Sequence, residues 1–257
     1  MKITFLGTGG GRISMIKQLR QSGGFRIDSK SANIHVDPGP GALIYSIKHS
    51  LKPEELDAVI VTHFHIDHCN DAGLLIEGMS DYGREKNGIF IGSKYSIEGS
   101  QDGDRSISKY HISKAKLIYT AKKEEKKSFG TAKGKFEIEI IKTKHDEPTS
   151  FGFKLFLDGK IIGYTGDTDY FDGLGEKFSG CDLLIINCLR PTDVGIPDHL
   201  KISDAIKIIK ISNPKKVILA HLGPEMDEYG LKKAGIEIEK EINRKVIFAK
   251  DNQIIDL

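Results

Sequence analysis

The stretch VTHFHIDHCN, residues 61–70, places three histidines and an aspartate within six consecutive positions. Only nine histidines occur among all 257 residues, so chance composition does not account for the cluster. It follows DAVIV, residues 57–61, a short apolar run of buried-strand type. If residues 61–65 are extended, His63 and His65 point to one side, because strand side chains repeat every two residues. Asp67 and His68 then fall where the chain turns into the next helix. Imidazole and carboxylate together suit zinc, and less tightly manganese or iron. The spacing therefore predicts two points of ligation, His63 and His65 for one divalent ion, Asp67 and His68 for a second.

So few ligands leave both ions under-coordinated. The remaining candidates all stand at the ends of strand-like segments: His145 ends KFEIEIIKTKH, Asp167 follows KIIGYTG, and His221 ends KKVILAH. Loops at strand ends are where layered α/β folds build sites. Giving His145 to the first ion, His221 to the second and Asp167 to both completes a dinuclear centre. The last position would be a bridging water, present as hydroxide near neutral pH. Without cations, the same residues would crowd imidazoles and carboxylates together at a desolvation cost.

The rest of the chain frames this cluster. KITFL reads as a strand broken by GTGGGR, and GFRIDSKSANIHVD as two strands about a polar turn. GALIYSIKHS and DAGLLIEGM read as helices, GIFIG and KLIYTA as strands, and SFGFKLFLDGKIIGYTGDTD as a hairpin. KKEEKK, residues 122–127, reads as a solvated turn of mixed sign. DLLIIN and KKVILA are buried strands separated by the amphipathic helix KISDAIKIIKIS. EYGLKKAGIEIEKEI predicts one helix and KVIFAKDNQIIDL a closing hairpin. Nothing resembles a linker, so residues 1–257 read as one mixed α/β domain.

The 38 basic and 36 acidic residues give a formal charge of +2, with no bulk field to draw the chain to nucleic acid or membrane. The three scattered cysteines fit a reducing cytoplasm, and the N-terminal apolar run is too brief for a signal core or membrane span. Cys69 adjoins a ligand histidine and reads as a packing residue, and His35, His49 and His111 as structural.

The motifs THFHIDH (62–68), His145, GDT with Asp167, AHLG with His221 and the early VDPGPG with Asp37 resemble the metallo-β-lactamase superfamily, in its order along the chain. The resemblance implies a four-layer αββα sandwich, two mixed sheets with helices on the outer faces and metals at one edge between the sheets. It places Asp37 behind the ligands, hydrogen-bonded near the first metal-binding loop. A bridging Asp167 argues against antibiotic hydrolysis, and His65 stands where the oxygen-reducing branch has glutamate. FLGTGGGR and His199, in DHLKISDA, are similar to the phosphodiesterase branch, including tRNA 3′-processing enzymes and the cyclic phosphodiesterase of phosphonate breakdown. The long basic arm of the former and the clustered N-terminal cysteines of the latter are missing here.

The expected chemistry is hydrolysis of a small or cyclic phosphodiester, with two divalent ions, zinc first. Asp67 and His199 are the candidate catalytic groups, His199 serving the leaving group. Arg190, in the loop after DLLIINC, is a candidate for binding the anion, though an exposed helix-capping or salt-bridge role suits it better. A lactone or carboxylic ester is the alternative substrate. A nucleic-acid-binding metalloprotein or ribonuclease, using the basic segment from Arg105 to Lys127, is the second alternative. Self-association is left open.

Overall fold

The apolar strands bury alternate residues on opposite faces, and that alternation builds the layers. In the computed structural model, which describes residues 1–191 and 196–257, the strands β1 (Lys2–Gly7), β2 (Ser22–Asp28), β3 (Asn33–Val36), β4 (Ala58–Val61), β5 (Asn87–Gly92) and β6 (Ala115–Thr120) form the first sheet in that order. The second sheet takes β7 (Lys126–Gly130), β8 (Lys135–Lys142), β9 (Phe151–Leu157), β10 (Lys160–Tyr164), β11 (Leu183–Arg190), β12 (Leu200–Lys201), β13 (Lys216–Ala220) and β14 (Ile247–Phe248). The last strand, β15 (Ile254–Asp256), returns to the first sheet beside β1. Both sheets are mixed: β1 to β3 are antiparallel and β3 to β6 parallel, while β7 to β10 are antiparallel and β10, β11 and β13 parallel.

Ala58 and Ile60 of β4 pack with Leu183 and Ile185 of β11 and Ile218 of β13 in the core between the sheets. Val59 and Val61 face the other way, onto Leu75 and Ile76. Leu184, Ile186, Val217 and Leu219 likewise face Ala205, Ile208, Ile209 and Ile238. Burying one such side chain contributes about 1.5–3 kcal/mol, so each strand face is committed to its layer. The helices supply the outer layers: α1 (Gly11–Lys17), α2 (Ala42–Lys48), α3 (Ile66–Cys69), α4 (Ala72–Met79), α5 (Lys94–Glu98) and α6 (Lys109–Ile112) lie in the first half of the chain. In the second half come α7 (Leu174–Lys177), α8 (Ile202–Ser212), α9 (Pro224–Tyr229) and α10 (Leu231–Ile242). This is the expected four-layer αββα sandwich.

Four local expectations are corrected. The closing segment is not a hairpin: β14 pairs parallel with β13, and β15 crosses to β1 in the other sheet. The segment between them ties back to the first sheet, because Asp251 accepts from Thr8 N at 3.0 Å, Thr8 Oγ1 at 2.6 Å and Gln21 N at 2.9 Å. The helix expected over residues 228–242 is broken at Gly230, whose φ of 91° is outside the helical range. GGGRISMIK carries α1, where Ile13 and Ile16 are exposed and leave no periodic core signal. KKEEKK is a turn only in its first part, since β7 begins at Lys126. Cys69, Cys181 and Cys188 are all buried, and burial pushes each thiol up to about 12, which suits packing rather than reactivity. Among the described residues, no helix is long and apolar enough to cross a membrane.

Candidate metal centre

The carboxyl ends of β3, β4, β8, β10 and β13 open onto one edge between the sheets. Each is followed by a residue the sequence singled out: Asp37, His63, His145, Asp167 and His221. Strand β4 stops at Val61, so the extended reading of residues 61–65 does not hold. His63 and His65 still meet, through the loop that leads into α3, with ring centroids 4.7 Å apart. Asp67 and His68 both lie in the single turn of α3 that follows His65.

The donor atoms form three overlapping groups. His63 Nε2 lies 3.1 Å from His65 Nδ1, which lies 3.3 Å from His145 Nε2. His68 Nε2 lies 3.0 Å from His221 Nε2, and Asp167 Oδ2 is 3.3 Å from both. Asp67 Oδ2 reaches His221 Nε2 at 3.5 Å and His68 Nε2 at 3.8 Å. Asp167 Oδ2 is also 4.0 Å from His63 Nε2 and so touches both halves. A tetrahedral zinc with Zn–N near 2.0–2.1 Å sets its donors roughly 3.3 Å apart. These spacings fit that ion, and nitrogen lone pairs facing one another call for a cation between them.

The far side of three rings is held, while His221 Nδ1 is buried without a hydrogen-bond partner among the described residues. His68 Nδ1 pairs with Asp37 Oδ2 at 3.0 Å, His145 Nδ1 with the Asp198 carbonyl at 3.1 Å, and His63 Nδ1 with Thr62 Oγ1 at 3.2 Å. Such partners fix tautomer and orientation. Asp37 additionally accepts from Thr62 N at 2.7 Å, Thr62 Oγ1 at 2.8 Å and Tyr164 OH at 2.9 Å. Asn187 donates to Asp167 Oδ1 at 2.6 Å. Burial holds His63 and His65 below the usual histidine range, aided by the neighbouring imidazoles. Both are therefore neutral, as ligation requires. Burial also opposes a charge on His68, but Asp167, Asp67 and Asp37 together hold it well above the ordinary value. Three carboxylates thus demand a positive charge there, which a cation would supply in place of the proton.

His199 stands beside these groups. Its Nε2 is 3.3 Å from Asp167 Oδ2 and its Nδ1 is 3.1 Å from the Pro197 carbonyl. The short pairing of β12 with β11 carries it there. Asp146 was not foreseen: its Oδ1 lies 3.2 Å from His145 Nε2 and 3.4 Å from His65 Nε2. Its place directly after His145 was the one available signal. Tyr164 and Asn187 had none, being common residue types within apolar strands. Arg190 lies in β11 rather than in a loop, buried and paired with Glu225. His35, His49 and His111 lie outside the cluster, bonded to Gly23, Asn252 and Ser108 respectively.

Backbone fit is tight where the glycines approach. A Cβ on Gly10 would lie 2.4 Å from both Nδ1 and the carbonyl oxygen of His221. His221 itself has φ of 54°, unusual for a non-glycine residue. Gly10→Ala is expected to displace the His221 ring, costing about 1–3 kcal/mol as overpacking does. The measurement is denaturant unfolding together with bound-metal content, and an unchanged midpoint would refute the packing argument.

A sandwich of paired sheets with histidine and aspartate donors gathered at one edge defines a metal-centre protein of the β-lactamase type. Residues 32–222 match the beta-lactamase superfamily domain, and the chain belongs to that family of metal-dependent hydrolases. An uncharacterized protein of Methanocaldococcus jannaschii is 35% identical over 249 residues, covering 93% of this chain and 91% of its own. Ribonuclease Z of Thermococcus onnurineus is 24% identical over 265 residues, covering 86% of this chain and 84% of its own. The crystal structure of the metallo-beta-lactamase fold protein YhfI from Bacillus subtilis matches with a TM-score of 0.78 at 24% identity, covering 99% of this chain and 98% of that one.

Proposed function

We propose that this hydrolase is a phosphodiesterase for a small or cyclic phosphodiester, with two zinc ions held by His63, His65, His145, Asp67, His68, His221 and the shared Asp167. The observation that carries the reading is the position of His199. It shares Asp167 with the donor groups, belongs to none of them, and lines a cavity of about 430 Å³ with His65, Asp67 and Asp167. The ribonuclease relative supports the bond type, since RNA is joined by phosphodiesters. A cavity of this size suits a small ligand.

Bound ions would supply a positive field that polarises a phosphoryl oxygen and makes water a better nucleophile. The chain's own residues do the rest. Asp67, at the cavity wall, orients the attacking water. His199 is raised above the ordinary histidine value, burial being outweighed by the hydrogen bond and charge of Asp167. It therefore carries a proton to give to the departing alkoxide, while the Pro197 carbonyl keeps its Nε2 turned toward Asp167. Asn187 holds the other oxygen of Asp167, so the carboxylate cannot rotate away.

Replacing His199 by alanine is expected to lower turnover of a 2′,3′-cyclic nucleotide, whose departing group is an alkoxide, by about 10²–10⁴-fold, the usual worth of general acid catalysis, and that of bis(p-nitrophenyl) phosphate much less, because p-nitrophenolate leaves without a proton. Elemental analysis should find the metal content unchanged. Faster hydrolysis of a lactone or p-nitrophenyl ester than of the diester would overturn the choice of bond.

A further inference from the structure

We infer that the cavity holds a second anion subsite, formed by Arg12 and Arg190, so that the substrate carries another phosphate or carboxylate beyond its scissile phosphodiester. The inference rests on the phosphodiesterase reading and names the substrate more closely. Arg190 ends β11 and is only 8% exposed, yet it lines the same cavity as Asp167 and His199. One terminal nitrogen of its guanidinium pairs with Glu225. Its Nε is buried and has no hydrogen-bond partner among the described residues. Leaving such a donor unmade is costly, and an anion that draws the guanidinium further into the cavity would recover that cost.

Arg12 lies in the first turn of α1 on the same cavity and is exposed. Among the described residues it makes no ion pair or hydrogen bond. Local packing brings the two arginines to one wall. A Cβ on Gly11 would touch Leu189 Cδ1 at 3.6 Å, and Gly223 N donates to the Leu189 carbonyl at 3.0 Å. The start of α1, the end of β11 and the start of α9 therefore converge there. Ile13, Ile66, Leu189, Pro197 and Pro224 line the same cavity. That lining fits an apolar spacer between two anionic ends. Neither guanidinium is used by the chemistry proposed for His199 and the metal donors.

The test is titration calorimetry of the metal-loaded protein with alkane-α,ω-bisphosphonates of increasing chain length, each compared with the matching monophosphonate. At least one length should bind about tenfold more tightly than its monophosphonate, as one charge-assisted contact provides. Arg12→Ala, at an exposed position, should bring that ratio down toward one. Glu225→Gln should raise it, because Arg190 loses its competing carboxylate. A ratio near one at every length, or a ratio indifferent to both substitutions, would overturn the second subsite. Failure to hydrolyse bis(p-nitrophenyl) phosphate with the ratio intact would instead remove the phosphodiesterase reading alone.

Discussion

Asp167→Ala is expected to remove the ligand position that the proposed dinuclear centre shares and to lower diester turnover by on the order of 10³-fold or more. The magnitude follows from losing several kcal/mol of charge stabilisation at the reacting phosphoryl group. Among the described carboxylates, its Oδ2 has the widest reach. It lies 3.3 Å from each Nε2 of His68, His199 and His221, and 4.0 Å from that of His63. Asp67 reaches only His68 and His221. The two substitutions therefore separate. Asp67→Ala should weaken metal at one position, and Asp167→Ala at both. Competition with a chromogenic chelator, read as two binding constants, decides between them. A loss at one position only from Asp167→Ala would show that Asp167 is not the shared group.

The residues that the structure gathers at one edge were legible because metal chemistry restricts residue type and spacing at once. THFHIDH, and a lone histidine or aspartate after each apolar strand, narrow the choice before any coordinates are seen. The layers were legible for a related reason. Runs such as DAVIV and DLLIIN are buried on both faces, so they had to lie inside a covered sheet. What could not be read depended on contacts distant in sequence. Nothing local marks Ile247–Phe248 and Ile254–Asp256 for different sheets, since the partners are β13 and β1. The bond from Asn187 to Asp167 needs β10 beside β11 in parallel register. Arg190 was weighed as an exposed loop residue, and its burial follows only once α9 packs over the end of β11.

Asp37 offers the second large effect, because it is a support whose removal strands several partners together. It is 2% exposed and adopts φ of 48°, a conformation that aspartate and asparagine tolerate better than most residues. Its two oxygens take hydrogen bonds from Thr62 N, Thr62 Oγ1 and Tyr164 OH, and one of them holds His68 Nδ1. Burial first, then the charges of Asp37 and Asp167, keeps the Tyr164 phenol far above its ordinary range, so it remains a donor. Alanine at position 37 would leave these donors buried and unpaired and would place a less tolerant residue at positive φ. The expected cost is about 3–5 kcal/mol, the range for breaking a buried charged pair. Asp37→Asn retains the backbone preference and one acceptor oxygen while removing the charge. It should be the milder variant in denaturant unfolding, yet still weaken metal binding about 10–100-fold through the loosened His68 ring. Tyr164→Phe removes one donor to Asp37 and one acceptor for Asn187 Nδ2, and should cost about 1–3 kcal/mol. If Asp37→Asn bound metal as tightly as the parent, His68 would owe its orientation to packing within α3 rather than to this carboxylate.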